Sequence, residues 1–88
     1  MVHPVKECIV KSRLTHNAFA VLYEISFQRL KDCLYGYTAS IPQRVINVMI
    51  QNGYDENKEQ SQYLQWRRWK AEQELNTRAA TKEGRGNT

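Results

Sequence analysis

Thr15 and Ser26 are small hydroxyl residues eleven positions apart, each set between apolar partners at the same offsets. Leu14 precedes Thr15 and Phe19 follows it by four; Ile25 precedes Ser26 and Leu30 follows it by four. A hydroxyl in that position accepts a hydrogen bond from a first-turn N–H and so opens a helix. The flanking apolar pair closes over the cap as a hydrophobic staple. Two such starts at this interval leave space for a two-turn helix, a tight turn and a second short helix.

The remaining punctuation is sparse, and apolar residues between the breaks follow helical rather than alternating spacing. Pro4 suits the first turn of a helix, where its missing N–H costs nothing, and places Val5 and Ile9 inward. Gly36 stands where the helix begun at Ser26 needs a left-handed terminating residue. Ser40 and Gln43 form a capping-box pattern with Pro42 in the first turn. Val45, Ile46, Met49 and Ile50 then supply a buried face, and Gly53 stops that helix. From Asp55 a polar, charged segment runs to about Leu75 without a breaker, as a fifth and longer helix would. Residues 77–88 carry no large apolar side chain and read as a disordered tail. The expected architecture is all-α: a compact bundle of four to five short helices, with a domain over residues 3–55, a C-terminal helix over 56–76, and the tail over 77–88.

Eighty-eight residues allow one modest core and leave little room for an enclosed substrate pocket. The net charge of +4 attracts polyanions but does not identify a nucleic-acid binder by itself. Cys8 and Cys33 do not make a disulfide framework, no secretory signal opens the chain, and no apolar run spans a membrane. These features suggest a cytoplasmic protein with two buried thiols. His3 and His16 lack CxxC or HxxxH company for zinc and have no evident catalytic partner. No phosphate-cradling glycine loop is present. No cofactor, metal, small-molecule substrate or enzymatic activity is expected.

The segment LTHNAFAVLYEISFQRLKDCLYG resembles the helix-turn-helix of the lambda-repressor-like (Cro or XRE type) DNA-binding family. Taking His16 as the first motif position, the family's apolar positions fall on Phe19, Tyr23, Ile25, Leu30 and Cys33, and the small residue at the helix crossing is Ala20. The run SIPQRVINVMIQNGYD looks like the helix that follows in the family, so the resemblance covers about half the chain. One departure is Glu24, at a turn position where the family favours glycine because the backbone there commonly has φ > 0.

The resemblance implies that the helix beginning at Ser26 lies in a DNA major groove. Phe27, Gln28, Arg29, Lys31 and Asp32 are then the candidates for base contacts. Gln28 suits adenine, Arg29 or Lys31 guanine, and Phe27 a thymine methyl; Asp32 accepts from cytosine or orients Arg29. Thr15, His16 and Asn17, at the start of the preceding helix, and Thr38, Ser40, Gln43 and Arg44, after the recognition helix, are the candidate phosphate contacts. Tyr63, Trp66 and Trp69 make an aromatic stripe on the last helix, with Leu64 and Leu75 on another side. These five either complete the core or offer a homodimer or partner surface.

The expected function is that of a sequence-specific regulator of transcription on double-stranded DNA, a small Cro-like repressor of a phage or mobile element. The alternative is a protein-interaction module on the same scaffold, such as an antirepressor, inhibitor or assembly factor.

Overall fold

A computed structural model describes the backbone of residues 1–86 and the side chains of residues 1–77. Its elements are α1 (Pro4–Lys11), α2 (His16–Leu22), α3 (Phe27–Leu34), α4 (Gln43–Gln51) and α5 (Glu56–Gly86), with no strand among the described residues. The tail expected over 77–88 lies almost wholly outside the described side chains; its backbone continues α5 as far as Gly86.

Both hydroxyl caps are in place. Thr15 Oγ1 accepts from Ala18 N at 3.0 Å, and Ser26 Oγ accepts from Arg29 N at 3.4 Å. The turn between α2 and α3 closes through Ile25 N, which donates to Ala20 O at 2.8 Å. Pro4 occupies the first turn of α1, and the residue capping that helix is His3. Imidazole is an uncommon N-cap, yet Nδ1 accepts from Val5 N at 3.1 Å as a hydroxyl would.

At α4 the expectation fails. Pro42 is the cap residue, no side chain bonds the first turn, and Ser40 stays outside the helix. Gln43 instead donates to Asn47 Oδ1 at 2.8 Å along the surface. Without an N–H, Pro42 cannot join the reciprocal bonds of a capping box, but its fixed φ sets the chain for the helix.

Val5 and Ile9 of α1, Phe19 and Ala20 of α2, Leu30 and Cys33 of α3, and Val45, Ile46 and Met49 of α4 are all buried. Tyr23 is half-buried and packs on Phe19 with ring centroids 4.9 Å apart. Ile50 was expected in this core but is exposed, and Val48 takes its place. At 100° per residue the inward face of α4 runs through 45, 46, 48 and 49, and position 50 has already turned to solvent.

The last helix completes the core. Asp55 caps it by accepting from Lys58 N at 2.8 Å, and Tyr63 is its central residue, with 0% exposure. Beyond the packed body α5 runs on alone, which accounts for the long dimension of 53 Å against 25 and 21 Å across.

The segment between α3 and α4 has no regular structure, so its backbone groups need partners from elsewhere. Four side chains on one face of α5 supply them. Gln60 accepts from Ile41 N at 2.9 Å and donates to Ile41 O at 3.0 Å. Tyr63 Oη donates to Thr38 O at 2.8 Å, Arg67 Nε donates to Gly36 O at 2.9 Å, and Lys70 Nζ donates to Tyr35 O. Their spacings of three and four make a single stripe, so α5 clamps the segment that leads out of α3.

Candidate nucleic-acid interface

The buried face of α3 leaves its other side free. Leu30 and Cys33 are fully buried, whereas Phe27, Gln28 and Arg29 are exposed and Lys31 and Asp32 half-buried. The five residues expected to face DNA therefore share the outward side of one helix whose inner side is anchored. Gln28 Nε2 donates to Asp32 Oδ1 at 2.9 Å, one turn apart. Asp32 thus orients Gln28, a role outside the two expected for it, contact to cytosine or orientation of Arg29. Lys31 Nζ lies 5.6 Å from the centre of the Phe27 ring, folded back along the helix.

The turn carrying α3 has an unusual backbone. Glu24 adopts φ +55, in the left-handed region that ordinarily favours glycine. The turn keeps the geometry glycine would give it, without glycine. Arg44 Nη1 donates to Glu24 O at 2.7 Å, so the first turn of α4 braces the strained residue.

The candidate phosphate contacts divide. His16 is half-buried and Asn17 exposed at the start of α2, while Thr15 spends its hydroxyl on the helix cap. Ser40 and Gln43 are exposed, and Arg44 is partly committed to Glu24. Thr38 is turned inward: its hydroxyl lies 2.9 Å from Tyr63 Oη, so its role is to hold the loop on α5.

The C-terminal aromatics divide as well. Tyr63 cannot form part of a partner surface because it is buried and its hydroxyl is engaged at Thr38. Trp66 is half-buried, its ring 4.3 Å from that of His3. Leu64, Trp69 and Leu75 remain exposed and keep the character of an outward face.

His3 has a larger part than its position suggested. Because Nδ1 accepts backbone N–H bonds, the ring proton sits on Nε2, which donates to Cys33 O at 3.0 Å. One imidazole therefore joins the start of α1 to the last turn of α3 and to Trp66 of α5. Burial is the main force lowering its pKa from 6.5; the Cys33 carbonyl opposes the shift, while Lys6 and Lys70 add to it. His lies outside the usual N-cap set, so its only sequence signal was its place before Pro4.

Both thiols are free and buried, and burial pushes Cys33 up to about 11. A thiol so protonated at neutral pH contributes to the core as a small apolar group. Among the described residues no three His, Cys, Asp or Glu side chains converge on a metal-sized site, and no helix is long and apolar enough to cross a membrane.

Set against protein-family models, curated proteins and solved structures, the chain matches none.

Proposed function

We propose that this chain binds double-stranded DNA sequence-specifically through α3 and acts as a small transcriptional regulator of the Cro-like repressor kind, from a phage or mobile element. The observation that carries the reading is the placement of Gln28 and Arg29. Both are exposed in the first turn of a helix whose opposite face, Leu30 and Cys33, is immobilised in the core. A rigid helix with polar, hydrogen-bonding side chains at its leading end suits readout of base edges in the major groove. Asp32 holds Gln28 in one orientation, which lowers the entropy cost of a bidentate contact to adenine. Exposed Leu64, Trp69 and Leu75 suit self-association on a palindromic site.

Selection of bound duplexes from a random pool tests the proposal. A defined sequence should emerge, and Gln28→Ala and Arg29→Ala should each relax preference at one base position by about 1–3 kcal/mol. Preferences that survive both substitutions would remove α3 from the role of reader.

A second reading is favoured by one feature. Val21, Leu22 and Phe27 are large apolar residues exposed on or beside the α2–α3 turn. A surface of that kind suits a protein partner, as an antirepressor, inhibitor or assembly factor would need. Duplex binding that weakens steeply with salt favours the first reading; its absence at low salt favours the second.

A further inference from the structure

Between α1, α3 and α5 lies a half-open groove of about 450 Å³, with His16 of α2 at its edge. Lys6, Lys31 and Lys70 line it, and no carboxylate does. Among the described residues neither Lys6 nor Lys31 has a salt-bridge partner, while Lys70 donates to Tyr35 O and lies 3.9 Å from Glu74. Phe27, Leu34, Tyr35 and Trp66 supply its apolar lining. Three cations beside apolar side chains, with one weak carboxylate partner among them, strengthen the local positive potential and favour an anion.

The aromatic residues also raise the prospect of stacked bases, and the lysines argue against it. Lys70 Nζ lies 5.5 Å from the centre of the Trp66 ring, 5.8 Å from Tyr35 and 5.6 Å from Tyr37. Lys31 lies similarly over Phe27. The protein's own ammonium groups thus compete for the ring faces on which an unpaired base would stack. What the groove presents outward is positive charge. Phe27 and Lys31 also belong to the proposed reading helix, within one turn of Gln28 and Arg29, so the groove adjoins the proposed base contacts.

We infer that this groove seats the phosphodiester backbone of one strand of the bound duplex, with Lys6, Lys31 and Lys70 neutralising phosphates and His16 at the rim. The inference rests on the DNA-binding reading above and extends it to two residues from outside the α2–α3 unit, Lys6 of α1 and Lys70 of α5. It also moves Lys31 from base contact to backbone contact. In this arrangement α5 both clamps the loop after α3 and contributes to the DNA footprint.

The test is the salt dependence of binding to a random duplex, measured for the full chain, for Lys6→Gln, and for Lys6→Gln with Lys70→Gln. Lys58→Gln removes the same charge at the N-terminal end of α5, beside Gly53 and Asp55 and outside the groove, and serves as the comparison. The slope of log affinity against log salt should shrink by about 0.9 for the single change and about 1.8 for the double, and stay constant for Lys58→Gln. Lys6 is exposed and makes no side-chain hydrogen bond among the described residues, so its single variant isolates the effect from folding. If the full chain binds duplex and the groove variants keep its slope, or Lys58→Gln changes the slope equally, the groove assignment is wrong and the α3 reading stands. A full chain that fails to bind duplex at low salt overturns both.

Discussion

Arg44 Nη1 donates to the carbonyl oxygen of Glu24 at 2.7 Å, tying the start of α4 to the turn between α2 and α3. The carbonyl belongs to a residue held at φ +55, where an L side chain costs about 1–2 kcal/mol. Glu24→Gly removes that strain but adds freedom to the unfolded chain. A net gain of about 1 kcal/mol is expected in urea unfolding, with Arg44→Ala losing about as much by releasing the brace. A destabilised Glu24→Gly would mean that the side chain, not the backbone, holds the turn.

Acid should weaken the fold through His3. Burial lowers its folded-state pKa below 6.5, so the unfolded chain takes up the proton first. The neutral ring's contribution is complete above about pH 6.5 and is lost as pH falls from there toward the lowered value. Protonation would also place a second N–H against the backbone donors of Val5 and Lys6. The expected slope is at most about 1.4 kcal/mol per pH unit. His3→Asn keeps a competent cap and should flatten the profile below about pH 6.5, at some cost in stability. An unchanged profile would acquit His3.

Gly36 is constrained twice. Its φ is +83, and a Cβ added there would stand 2.8 Å from Cζ3 of Trp66. Gly36→Ala should therefore cost about 2 kcal/mol or more, combining backbone strain with displacement of the indole. Thermal unfolding followed by tryptophan fluorescence reads both effects. Gly53 also has positive φ, at +90, but a Cβ there would meet nothing. Gly53→Ala should cost only the backbone share, about 1 kcal/mol.

Gln60 pairs with both backbone groups of Ile41. Gln60→Ala leaves a half-buried N–H and C=O without their partners, at an expected cost of about 2 kcal/mol. Hydrogen exchange should quicken first at Ile41, before the α1 and α2 amides. Uniform acceleration over all helices would instead mark a general loss of stability.

Local chemistry decided much that could be read along the chain. Thr15 and Ser26 open helices, Pro4 lies in a first turn, and Gly36 and Gly53 take left-handed conformations, because each depends on a few adjacent bonds. Spacing placed Val5, Ile9, Phe19, Leu30 and Cys33 in the core for the same reason: helical periodicity reports which side of an element is apolar. The outward side of α3 follows from that inward one, so its five exposed or half-exposed candidates were visible before the fold was known.

Where elements meet, sequence spacing carries no information. The single face of Gln60, Tyr63, Arg67 and Lys70 reads as a solvated helix until the carbonyls of residues 35–41 are set against it. Tyr63 could have pointed to solvent or core, and packing of α5 on α1 and α4 chose the core. His3 caps α1, Cys33 lies on α3 and Trp66 on α5, and only the bundle brings the latter two to the His3 imidazole. The sequence determined the starts of α2 and α3, the left-handed glycines that follow α3 and α4, and most of the apolar lining, because those choices are made within a turn or two of chain. The cap of α4 at Pro42, the exposure of Ile50 and the length of α5 were not legible in it. The tertiary structure alone decided which polar groups satisfy distant backbone and which cations share a groove, because these depend on distances that close only when the core forms.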